Sequence, residues 1–110
     1  MKLFVTIEFI FIGLLFIGLA IPMIFRRVPP NHIYGFRVRK TLENPDIWYK
    51  ANEYAGKALV RAGIVIVVGA VVFALIPGIK ESAYVGINVA VMSISGLTAL
   101  VLSLMYLRTL

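Results

Sequence analysis

Three apolar runs, separated by one long polar stretch and one short one, lay out the chain. Leu3 to Phe25 holds a single acid, Glu8, among almost purely aliphatic and aromatic side chains. A second run extends from Ala58 to Gly78 and a third from Ala83 to Leu107. At about 1.5 Å per residue each makes a helix long enough to cross a hydrocarbon core of about 30 Å. The pattern predicts an all-α membrane protein with three transmembrane helices over roughly 3–25, 58–79 and 83–107, in one membrane domain.

The first run follows Lys2, as a cleaved leader does, but no small-x-small site closes it and Arg26-Arg27 follow as a stop-transfer flank. It is therefore expected to stay as a helix, kinked or ended near Pro22. Only Lys80-Glu81-Ser82 and their neighbours separate the last two runs, which predicts a tight antiparallel hairpin.

The polar connection, residues 26–57, carries most of the charge, the one His, the one Trp and three of the five Tyr. Pro29-Pro30-Asn31 predicts a turn. From Ile33 to Arg39 the residues alternate, with Tyr34, Phe36 and Val38 on one side and Gly35, Arg37 and Arg39 on the other, as in an extended segment. Asn44 then suits an N-cap, Pro45 the first helical position and Asp46 the positive helix end. Asp46, Lys50, Glu53 and Lys57 fall on one stripe, predicting the pairs Asp46–Lys50 and Glu53–Lys57. Ile47, Trp48, Ala51, Tyr54, Ala55 and Ala58 fall on the other side. The expectation is an amphipathic interfacial helix on the cytoplasmic side that runs into the second span with a bend near Gly56, and has Trp48, Tyr49 and Tyr54 as interface anchors.

Composition sharpens this picture. The chain is 61% hydrophobic and 15% charged, against about 45–50% and 25% in soluble domains. The net charge of +6 reads as attraction to anionic lipid headgroups, not to nucleic acid. Arg26, Arg27, Arg37, Arg39, Lys40, Lys50, Lys57, Arg61 and Arg108 lie at one end of the spans, and only Lys2 and Lys80 at the other. That bias predicts a cytoplasmic connection and C-terminus, with the N-terminus outside. With no Cys and a solitary His32, no metal site or cofactor is expected. No phosphate loop, paired acids or nucleophile–base pair marks an enzyme.

The run Tyr34-Gly35-Phe36-Arg37, followed by Thr41-Leu42, Asn44-Pro45, Trp48-Tyr49, Ala51-Asn52 and Gly56, resembles the signature of the SdpI family of multi-pass membrane proteins. That family is named for an immunity protein against a secreted toxic peptide. The likeness covers the connection and the start of the second span, and it corresponds to the C-terminal part of that longer protein. Val38 stands where members often carry Thr. The resemblance implies a role in immunity to membrane-active peptides, or in membrane signalling through residues 29–57.

Arg37, Thr41, Asn44, Trp48 and Asn52 match that pattern. They suit either a headgroup or peptide pocket, with Arg37 on an anion, or a scaffold in which Asn44 caps a helix and Arg37 satisfies terminal carbonyls. In the first span Glu8 reaches the same depth as Asn88 in the third, so a Glu8–Asn88 contact is expected, as a proton or cation site or as a simple hydrogen bond. Two further functions follow: a small cation-coupled transporter using Glu8, and a structural subunit of a membrane complex. Small residues are plentiful (Gly13 and Gly18, Ala70 and Ala74, Gly86 and Ala90), and Ser95, Ala99 and Ser103, spaced by four, suit close helix packing within the chain or in a homo-oligomer. The expected partners are the bilayer and its anionic headgroups, and a toxic peptide or cytoplasmic regulator.

Overall fold

The computed structural model describes residues 2–110 and is all helical. Helix α1 spans Lys2–Ile24, α2 Arg39–Glu43, α3 Pro45–Leu75 and α4 Glu81–Leu107. α1, α3 and α4 are each long and apolar enough to cross a membrane. α3 is central, with α1 along one side and α4 along another.

α1 runs two residues past Pro22 and stops in a Schellman turn, with Arg27 N–H donating to Pro22 O at 2.9 Å and Arg26 N–H to Met23 O at 3.2 Å. Arg26 takes the left-handed position (φ 57°) where glycine is usual. At the other end α3 passes into α4 through Ile76–Lys80, where Gly78 supplies the positive φ of 86°.

The seam between α1 and α3 is built from small residues seven apart. Gly13 faces Gly63 so closely that a Cβ on Gly63 falls 2.6 Å from the Gly13 carbonyl oxygen. One step on, a Cβ on Gly56 falls 3.0 Å from Ala20 O. A step the other way brings Thr6 and Ala70 together at one hydroxyl, that of Tyr84 of α4, 2.9 Å from Thr6 Oγ1 and 2.8 Å from Ala70 O. Each step of seven along α1 thus meets a step of seven back along α3, the register of an antiparallel left-handed pair. Gly18, the other glycine of α1, faces open space.

Tyr84 is fully buried and gathers the hairpin end of the bundle. The Phe9 ring meets it edge-on at 6.5 Å between centroids, and Lys2 Nζ lies 5.2 Å from its ring centroid. Ala70, Phe73, Ala74 and Ile79 complete this core. α1 and α4 meet here and diverge towards the opposite end.

Residues 45–57 run into the second span, as expected. They are the first turns of α3, which at 31 residues is about 46 Å long and outreaches a hydrocarbon core of about 30 Å. Gly56 lies inside α3 at a point where it touches α1. The stripe along this segment does not form the expected i,i+4 pairs. Glu53 instead takes Arg26 of the α1 terminus at 3.1 Å, because the Schellman turn aims that side chain at α3. Among the described residues the other ion pair is Arg39–Glu43, at 2.9 Å.

Candidate functional site

Beyond the end of α1 the connection doubles back onto the start of α3, and the sequence-marked residues form its seat. Asn31 knots the turn: its Oδ1 accepts from Ile33 N–H at 2.8 Å and Tyr34 N–H at 2.6 Å, and its Nδ2 donates to Pro29 O and Tyr34 O. Trp48, fully buried in protein and so not an interface anchor, donates from Nε1 to Val28 O at 2.7 Å. Asn52, also buried, accepts from Phe36 N–H at 2.7 Å and donates to Trp48 O at 2.9 Å. Gly35, at φ 110°, lies over both: a Cβ there falls 2.7 Å from Asn52 Oδ1 and 3.3 Å from the Trp48 ring. The motif's glycine is thus required by conformation and by space.

Thr41 sits on α2, a short helix with no counterpart in the sequence reading. Its Oγ1 accepts from Val38 N–H at 2.9 Å and lies 2.8 Å from Val38 O and 3.0 Å from Phe36 O, between which its one proton is shared. Asn44 caps α3 as expected, accepting from Asp46 N–H at 3.0 Å and Ile47 N–H at 3.4 Å. Arg37 donates to His32 O but is exposed and keeps most of its N–H groups free. So the polar atoms of Thr41, Trp48 and Asn52, and the Asn44 carboxamide oxygen, are occupied by the chain's own backbone. They shape the loop, and Arg37 remains available to an outside anion.

What the seated loop presents instead is apolar. Ile33, Tyr34, Gly35 and Phe36 roof a cleft of about 350 Å³. Its walls are Leu19 and Met23 of α1 and Gly96, Ala99, Leu100 and Ser103 of α4, with Ala55 and Leu59 of α3 as floor. Both hydroxyls in it are engaged, Tyr34 with Leu19 O and Ser103 with Ala99 O. Burial against the loop pushes the Tyr34 phenol above its ordinary value. The cleft exists because α1 and α4 diverge, and it opens sideways, between helices.

The far end of α4 is fastened to the same region. Tyr54 and Tyr106 stack at 4.4 Å with 8° between ring planes, and Lys40 Nζ donates to Leu107 O at 3.0 Å at the negative helix terminus. Neither fastening was visible in the sequence, since each joins residues more than fifty positions apart.

The remaining expected pair is not brought together. Asn88 is buried with its Nδ2 donating to Tyr84 O at 2.9 Å. Glu8 is exposed on the outward side of α1, beside Ile7, Phe11 and Ile12, with no hydrogen bond or ion pair among the described residues. One helical position separates it from buried Phe9, and that rotation of about 100° turns it away from α4. Thr6 is the polar residue of α1 that meets α4.

Compared with known proteins, residues 27–107 match the model of the SdpI/YfhL protein family. No curated protein and no solved structure matches the chain.

Proposed function

The chain belongs to the SdpI/YfhL protein family, and on that premise we propose that it is a non-enzymatic membrane protein acting in immunity to membrane-active toxic peptides. Its working surface is the cleft under Tyr34-Gly35-Phe36. The observation that carries this reading is the division of labour in the connection: polar motif residues are consumed in holding the loop, and the loop spends its aromatic edge on an apolar cleft. A cleft of that size and character fits the apolar side of an inserted peptide. Such a peptide reaches the opening laterally from the bilayer, so an aqueous route is unnecessary. With Lys and Arg concentrated at this end, the cleft lies towards the cytoplasmic leaflet.

A signalling role draws on the same site. The Tyr54–Tyr106 stack and the Lys40 contact couple α4, one wall of the cleft, to the charged loop surface. Occupancy that shifts α4 therefore alters what a cytoplasmic regulator meets. The transporter reading draws no support from Glu8, which faces away from the other two long helices.

The test is protection of cells challenged with membrane-active peptides, comparing the native chain with Gly96→Leu and Ala99→Phe, which fill the cleft from α4. At matched membrane levels both variants should lose protection, and unchanged protection would refute the cleft. The orientation is checked with Lys40→Cys and Lys80→Cys and an impermeant maleimide. Lys40→Cys should label only from the inner face, and Lys80→Cys only from the outer.

A further inference from the structure

On the opposite flank of α4 lies a second groove, of about 250 Å³, between Ala58–Val65 of α3 and Ile94–Leu102 of α4. It is lined by Ala58, Ala62, Val65, Ile94 and Leu102, with the hydroxyls of Ser95 and Thr98, and Arg61 stands in its wall. Lys57 stands one helical turn nearer the polar end on neighbouring surface of α3. Both cations are exposed, and neither has an acid partner: the ion pairs among the described residues are Arg26–Glu53 and Arg39–Glu43. Just beyond the groove the stacked Tyr54 and Tyr106 join the helices, one turn from Ala58 and one from Leu102. The groove therefore has a closed aromatic head, a cationic shoulder and an apolar length.

We propose that this groove is a binding site for one anionic phospholipid, with the phosphate held by Arg61 and Lys57 and an acyl chain laid between Val65 and Ile94. An arginine at the membrane end of a span reaches towards the headgroups, and its guanidinium presents paired N–H donors that match phosphate oxygens. The groove continues from that guanidinium into apolar surface, as the lipid does from phosphate to chain. Charge selects a lipid over a second parallel copy of this protein. Of the five acids, Glu8 and Glu81 lie at the hairpin end, and Glu43 and Glu53 are already paired. Asp46 is fifteen residues, about 22 Å of helix, from Arg61. A parallel copy thus offers no free carboxylate at the depth of Arg61.

The test uses the full chain, purified in detergent, with native mass spectrometry reading bound phosphatidylglycerol against phosphatidylcholine. Lys50→Gln removes the same charge from the same helix, two turns beyond Lys57, and serves as the reference for diffuse attraction. A diffuse field predicts equal losses of about fivefold for Arg61→Gln and Lys50→Gln, at ~1 kcal/mol per cation. The site predicts a loss of roughly tenfold or more for Arg61→Gln and clearly less for Lys50→Gln. Thr98→Phe and Leu102→Trp obstruct the groove from two positions without changing charge, and either one that keeps its thermal stability should weaken phosphatidylglycerol by a similar factor. Equal losses for the two charge variants, undiminished binding in both obstructed variants, equal retention of phosphatidylcholine, or displacement of the lipid by inorganic phosphate would each overturn the proposal.

Discussion

Substituting Gly63 by alanine tests the small-residue seam most directly. The new Cβ would sit 2.6 Å from the Gly13 carbonyl oxygen, 2.8 Å from Ile17 Cγ1 and 3.2 Å from Phe16 Cβ. The first distance is about 0.8 Å short of the 3.4 Å at which such contacts become ordinary. Ile17 can change rotamer, but the carbonyl belongs to the α1 backbone, so the helices themselves must part. Overpacking of this kind costs about 1–3 kcal/mol. Replacing glycine inside a helix returns about 0.8–1.0 kcal/mol of helix propensity. Gly63→Ala should therefore destabilise by up to about 2 kcal/mol, while Gly18→Ala, which meets nothing within 4 Å, gains the propensity alone. Trp48, the only tryptophan and fully buried, makes its fluorescence the readout of thermal unfolding in one detergent. Gly13→Ala should behave like Gly63→Ala, and the double variant should lose less than the sum, because helices already parted accommodate the second methyl. The reasoning fails if Gly63→Ala raises the midpoint as Gly18→Ala does.

Asn52→Ala leaves the part-buried Phe36 N–H without its acceptor and should cost about 1–3 kcal/mol, with Trp48 fluorescence shifting red as the loop lifts; Asn52→Asp keeps the acceptor oxygen but sets a buried carboxylate against Trp48 O, and should cost at least as much in the same thermal assay. Tyr84→Phe removes a hydroxyl shared by three helices and should cost about 0.6–1.7 kcal/mol, and combined with Thr6→Ala it should be less than additive if the 2.9 Å contact is made. The Tyr34 phenol is raised in the folded chain from 10.0 by burial. Its contribution is complete below that value and is lost as pH rises through the folded one, so alkaline unfolding should begin at higher pH in Tyr34→Phe.

Much of this architecture was legible because its signals are local. The Asn44-Pro45 pair and Pro77-Gly78 bound helices through backbone chemistry that needs no partner. The spans follow from run length alone. The interior of the connection was harder to read, since Trp48 and Asn52 look the same by spacing whether they face lipid or the chain's own loop, and only the backbone at Val28 and Phe36 decides it. The small-residue seam was readable in principle. Steps of seven through Thr6, Gly13 and Ala20, and through Gly56, Gly63 and Ala70, carry it, whereas Gly86 and Ala90, small residues as well, face outward. Tyr84 is invisible to local reading, because its acceptor and its neighbour lie 14 and 78 residues away.

Helix α4 is pinned at its two ends, by Tyr84 near its start and by Tyr106 and Leu107 near its finish. Its middle stands between two hollows, and Ala99 belongs to the wall of both. A wall shared by two hollows can give to one side or the other, but its two sides cannot both be widened. A guest wedged into the cleft beside Phe36 presses α4 towards the groove of Arg61, and a guest in that groove presses back. Thermodynamic reciprocity then makes each occupant weaken the other by the same factor, so the composition of the surrounding bilayer sets how readily the cleft is filled.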